Sequence, residues 1–122
     1  MCGIAGMVGS DSAERVRTMT RALVHRGPDE VGFYDDPPSK LTLGMQRLSI
    51  LDLEHGRQPM ASQDRSVWIV YNGEIFNSPE LRGRLEQRQR RFVTAHSDTE
   101  TLLHLYDDKQ EGMLEDLNGM FA

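Results

Sequence analysis

The sequence predicts an α+β fold, and three observations carry that prediction. Residues 31–45 read as a hairpin: Val31 to Tyr34, a turn at Asp35-Asp36-Pro37-Pro38-Ser39, then Leu41 to Met45. Residues 66–71 (Ser-Val-Trp-Ile-Val-Tyr) form the strongest strand signal, β-branched and aromatic with little polarity. Three segments carry helix-start chemistry: Ser10-Asp11-Ser12, Ser78-Pro79-Glu80 and Ser97-Asp98-Thr99-Glu100. At 122 residues the chain holds one core and one domain, residues 1–122.

In chain order, Ile4 to Val8 reads as a short buried strand. Val16, Met19, Thr20 and Leu23 then repeat at helical spacing, so a helix is expected over 12–24. His25-Arg26-Gly27-Pro28-Asp29 ends it, because Gly-Pro cannot continue a helix. Residues 47–51 read as extended, and 54–64 as a loop. The 66–71 strand is expected to be buried on both faces and to enter a turn at Asn72-Gly73. A helix over 79–90 turns Leu81 and Leu85 inward. Its Glu80–Arg84 and Glu86–Arg90 pairs mark a solvated face. A capping box at Ser97 and Glu100 starts a helix to about residue 108, with Leu102, Leu103 and Tyr106 inward. A short helix follows near 111–117.

Composition excludes several roles. Thirty-eight per cent hydrophobic and 27% charged residues suit a soluble globular chain. The net charge of −5 argues against nucleic acid as a partner, despite five arginines between 82 and 91. No apolar run is long enough to span a membrane, and the N-terminus lacks signal-peptide character. One cysteine cannot make an internal disulfide, which points to a reducing cytoplasm.

That cysteine is Cys2, in Met1-Cys2-Gly3-Ile4-Ala5-Gly6. If Met1 is removed, one residue carries both a thiol and a free α-amine. The amine, with a pKa of about 7.7–8.0, is a suitable base for a thiol near ~8.5. A nucleophile activated by its own terminal amine is an established form of covalent catalysis. Three other polar groups stand where the backbone changes type: Arg47, Asn72-Gly73-Glu74 and Asp98. Each also has a plain structural use: a surface arginine, a turn, a helix cap.

Taken together, the segments MCGIAG, HRGPDE, QRLSILDLEHGRQPM, YNGEIFN, SDTETLL and LNGMFA resemble the glutaminase domain of the asparagine synthetases. These are class II (N-terminal-nucleophile) glutamine amidotransferases. Met45 departs from the pattern, standing where a histidine is common, and Thr94-Ala95-His96 adds length before Ser97. The resemblance implies a four-layer αββα sandwich, present here only in its N-terminal part. It implies that Cys2 attacks the side-chain amide of glutamine, with its α-amine moving the proton. Asn72 and the Gly73 N–H would form the oxyanion hole. Arg47 would take the substrate α-carboxylate and Asp98 its α-ammonium; Glu74, Ile50 and Leu51 would line the pocket. It implies no cofactor in this domain, ATP and Mg belonging to an absent synthetase domain that consumes the ammonia. The expected partners are that domain or the remainder of the glutaminase domain, and a second copy in a homodimer. A non-catalytic truncated fragment serving as an interaction module is the alternative. Arginine with an acid argues for a free amino-acid substrate and against some other amide hydrolase.

Overall fold

The computed structural model describes residues 2–48 and 56–122, and these form a mixed structure of helices and antiparallel sheets. The first part is a three-stranded sheet of β1 (Gly3–Val8), β2 (Glu30–Asp36) and β3 (Leu41–Arg47), in the order β1-β3-β2. The hairpin turn places Glu30 opposite Arg47, and β1 lies along the other side of β3 with Gly3 opposite Gln46. Helix α1 (Ser12–Ala22) packs on this sheet through Ser12, Val16 and Thr20, spaced four apart on one stripe. Gly44 permits the close approach: a Cβ there would lie 2.2 Å from Thr20 Oγ1.

The helix is shorter than its pattern predicts and is followed by a 3₁₀ turn at Val24–Arg26. Met19, expected inward, is 41% exposed, because the 12-16-20 stripe rather than the 16-19-23 stripe meets the sheet. Ser12 does not cap the helix; its hydroxyl bonds that of Thr42 at 3.2 Å. Strand β1, expected to be buried, is an edge strand, and Val8 is exposed.

The second part is built on α2 (Ser78–Gln87) and α3 (Asp98–Lys109). Their core is Tyr71, Ile75, Leu81, Leu85, Leu102 and Leu105, with Ile69, Phe92, Met113 and Leu117 packed against it. Tyr106, expected inward with Leu102 and Leu103, is only partly buried. Beside this core β6 (Gly73–Ile75) pairs antiparallel with β7 (Gly119–Phe121), after a 3₁₀ segment at Gln110–Asp116.

Four local expectations change here. The 66–71 strand reduces to β5 (Trp68–Ile69), half-buried, because only β4 (Met60–Ala61) pairs with it among the described residues. Asn72-Gly73 is not a turn. The Asn72 N–H donates to the Ala122 carbonyl at 3.0 Å and its own carbonyl accepts from the Ala122 N–H at 2.9 Å, so the chain enters β6 extended. Ser97 makes no side-chain cap; Glu100 instead accepts from the Val93 and Thr94 N–H groups at 2.7 and 2.8 Å. Glu80 does pair with Arg84, but Glu86 takes Arg82, and Arg90 reaches Asp107 and Asp108 on α3.

The two parts meet along β2. The Tyr34 and Trp68 rings stack with centroids 4.1 Å apart. The Gln58 backbone crosses Gly32 so closely that a Cβ there would sit 2.0 Å from the Gln58 carbonyl oxygen. No helix among the described residues is long and apolar enough to cross a membrane.

Candidate active site

Cys2 is placed by the β1–β3 register. Its Sγ accepts from the Leu48 N–H at 3.4 Å and its thiol faces the Leu48 carbonyl at 3.9 Å. The Cys2 carbonyl accepts from Arg26 Nε at 3.1 Å, so the 3₁₀ turn after α1 holds the head of β1. Gly27, the next residue, is buried against the end of β3, where a Cβ would fall 2.5 Å from the Arg47 carbonyl carbon. The His25-Arg26-Gly27 segment therefore fixes both Cys2 and the strand that carries Arg47. The thiol is partly exposed.

Arg47 ends β3, one register step from the partner of Gly3, and is buried at 6% exposure. Such a guanidinium needs a counter-charge. Glu30, directly opposite on β2, supplies it: Arg47 Nη1 lies 3.1 Å from Glu30 Oε2. The other carboxylate oxygen of Glu30 is 3.3 Å from Arg57 Nε. Glu30 thus lies between two arginines, one buried and one exposed.

The second group forms around the start of α3. Asp98 Oδ2 accepts from the Tyr71 hydroxyl at 2.9 Å and from the Ile75 N–H at 3.2 Å. Burial, the Asp98 charge and hydrogen bond, and Glu74 all push the Tyr71 phenol far above its ordinary range, so it remains a donor. Asn72 and Gly73 lie between Tyr71 and Ile75 in the segment that Asp98 holds. Gly73 is required by packing: a Cβ would lie 2.2 Å from the Met120 carbonyl oxygen on β7. Gly73 and Glu74 are exposed and Asn72 is partly buried.

Gln58 joins the two groups. Its backbone rests on Gly32 of β2, two residues from Glu30. Its side-chain Oε1 accepts from the Tyr71 N–H at 2.6 Å, and its Nε2 lies 3.3 Å from Thr99 Oγ1, next to Asp98. Through its backbone and its side chain together, one residue ties the arginine-bearing sheet to the helix that carries the acid.

Of the residues singled out in the sequence, Cys2 and Arg47 sit together at one end of the sheet. Asn72, Gly73, Glu74 and Asp98 sit together beside β6. Ile50 and Leu51 lie outside the described residues. Sequence reasoning missed Arg26, Glu30 and Tyr71, which contact Cys2, Arg47 and Asp98, and Gln58, which binds Tyr71 and Thr99. All four fall inside segments already noted, HRGPDE, HGRQPM and YNGEIFN, but nothing in their spacing reports which backbone they reach. Two cavities among the described residues lie elsewhere: one of about 510 Å³ along β1 and α1, and one of about 440 Å³ between the 60–64 loop and α3. No group of three or more His, Cys, Asp or Glu among the described residues is arranged to hold a metal ion.

A cysteine thus stands at the head of one strand near a buried arginine, and an acid at the start of α3 holds the segment that carries Asn72 and Gly73. The chain matches the glutamine amidotransferase domain family over residues 1–122, and it belongs to that family. It is 41% identical over 129 aligned positions to asparagine synthetase [glutamine-hydrolyzing] 1 of Bacillus subtilis (strain 168). It is 39% identical over 127 positions both to a probable asparagine synthetase [glutamine-hydrolyzing] of Dictyostelium discoideum and to the asparagine synthetase [glutamine-hydrolyzing] of Asparagus officinalis. Each match covers 100% of this chain but only 20%, 22% and 21% of the relative, so the chain spans about a fifth of their length.

Proposed function

We propose that this chain hydrolyses the side-chain amide of glutamine with Cys2 as nucleophile, releasing ammonia for asparagine synthesis. The observation that carries the reading is that Cys2, just before β1, contacts Leu48, the residue that follows the buried Arg47 at the end of β3. The family and the glutamine-hydrolysing relatives support it.

Removal of Met1 frees the Cys2 α-amine. That amine takes the thiol proton as Sγ bonds to the amide carbon of glutamine. The carbonyl π electrons move onto oxygen, and the Asn72 side-chain amide and Gly73 N–H stabilise the oxyanion. Preorganised donors of this kind typically contribute about 10²–10³ in rate. The ammonium then passes its proton to the departing nitrogen, the C–N bond breaks, and ammonia leaves a thioester. Water, deprotonated by the same amine, adds to the thioester carbonyl and expels the thiolate. Glutamate forms and the thiol is restored. Arg47 binds the α-carboxylate and Asp98 the α-ammonium, with Glu74, Ile50 and Leu51 against the chain between them.

The same proposal includes the wider setting. The fold is completed as a four-layer αββα sandwich, and ATP and Mg act in a synthetase domain beyond these residues. A second copy in a homodimer belongs to the same proposal.

The test has two steps. Mass spectrometry first establishes whether Cys2 is the terminal residue. Glutamate release from glutamine is then compared between the native chain and Cys2→Ala. Release confined to the native chain is the expected result. Release that persists in Cys2→Ala, or none from a chain shown to begin at Cys2, would remove the hydrolytic reading.

A further inference from the structure

Arg47 would face the substrate carboxylate, yet one of its nitrogens is already engaged by a protein carboxylate. We propose that Glu30 is a positioning residue of the carboxylate subsite: it holds the Arg47 guanidinium in the orientation in which its fork meets a substrate carboxylate. This inference rests on the glutamine reading above and deepens it.

Glu30 and Arg47 are register partners on β2 and β3, so their backbones fix the distance between the side chains. The Oε2–Nη1 separation is 3.1 Å and the Oε1–Arg57 Nε separation is 3.3 Å. Each oxygen of one carboxylate thus meets a different arginine. Without Glu30 the two guanidinium groups would repel each other at close range, and the buried one would lose a counter-charge. An arginine rotamer is long and flexible, and its donor fork binds a carboxylate well only when held in orientation. Glu30 therefore acts through Arg47 and not on the amide. Its side chain is 31% exposed, Arg57 is 74% exposed, and Arg47 is 7% exposed, so the trio runs from the interior outward.

The role predicts an effect on one end of the substrate. The probes are glutamine and 4-aminobutanamide, which is glutamine without its α-carboxylate. Binding is measured calorimetrically in the Cys2→Ala background, where no hydrolysis follows. Glu30→Gln is expected to weaken glutamine about tenfold, the scale of one charge-assisted contact, and to leave 4-aminobutanamide unchanged. In the active chain the same substitution raises KM for glutamine and keeps kcat within about twofold. Glu30→Asp keeps the charge but shortens the reach; it is expected to recover part of the affinity, and it serves if Glu30→Gln does not fold.

Equal losses for both probes would overturn the inference and leave a general structural role. So would unchanged glutamine affinity in both variants, or a fall in kcat at constant KM. These outcomes are distinct from failure of the hydrolytic reading, which shows as absent Cys2-dependent glutamate release in the unsubstituted chain.

Discussion

Tyr71 shows how much a single side chain decides in this protein. Its ring belongs to the α2–α3 core, its N–H is taken by Gln58, and its hydroxyl donates to Asp98. It joins packing to the acid that would meet a substrate ammonium. In Tyr71→Phe the ring stays and the donor goes. Asp98 keeps only the Ile75 N–H among the contacts described for it, so its carboxylate is less well oriented. We expect a loss of about 1 kcal/mol in stability, with glutamine KM rising roughly three- to tenfold and kcat nearly unchanged. Urea titration and initial-rate kinetics check the two effects separately. An intact KM would show that Asp98 does not depend on this hydroxyl. The sequence reads Tyr71 as the end of a strand, but the strand stops at Ile69 and Tyr71 lies between β5 and β6. Its bond to Asp98 was not legible there, because twenty-seven residues separate the partners and only packing brings them together.

At the scale of elements, β3 with its neighbours is the organising unit. Its register with β1 sets Cys2 near Arg47, and its register with β2 sets Glu30 against Arg47. The hairpin was readable from its two short runs and the Pro-Pro turn between them, and the structure extends the second strand from 41–45 to Arg47 and the first through Asp36. The 66–71 stretch misled for a physical reason. Propensity describes a side chain suited to a pleated surface, but a strand also needs a partner of equal length, and β4 offers two residues. Where the two parts of the molecule touch, Gly32 leaves room for Gln58. Gly32→Ala places a methyl group 2.0 Å from the Gln58 carbonyl oxygen, so the 57–59 segment must move off β2. We expect a loss of about 1–3 kcal/mol in chemical denaturation, the usual range for overpacking. Glutamine binding should weaken as well, since Gln58 holds both the Tyr71 N–H and the start of α3. Unchanged stability and binding would show that the junction is not a close fit.

For the whole molecule, the carboxylates set the response to acid. Burial opposes ionisation of Glu100, but the nearby His104 imidazole, the Thr94 hydroxyl and the Val93 and Thr94 N–H groups outweigh it and hold the carboxyl down at about 2. Because this value is lower in the folded chain than the ordinary 4.5, the native state favours the ionised form. The resulting stability is present in full above about 4.5 and is lost as pH falls toward 2. Thermal or urea unfolding between pH 7 and pH 2.5 should therefore show a decline that begins below about 4.5, and Glu100→Gln should flatten it. The same substitution is expected to cost about 1–3 kcal/mol at neutral pH, since the Val93 and Thr94 donors lose a charged acceptor. A decline of equal steepness in Glu100→Gln would assign the acid response to other groups, Asp35 beside Arg17 among them, whose carboxyl is also held below its usual range.

The sequence by itself determined the residue types of the chemistry, the helix positions and the family pattern, because motif order and periodicity are local properties of a chain. It could not determine that Arg26 grips the Cys2 carbonyl, that Glu30 lies between two arginines, or that Gln58 joins sheet to helix. Those relations exist only after strand register and burial have brought distant residues into contact. A buried charge or donor takes whichever partner the packing presents to it, and sequence spacing does not report that choice.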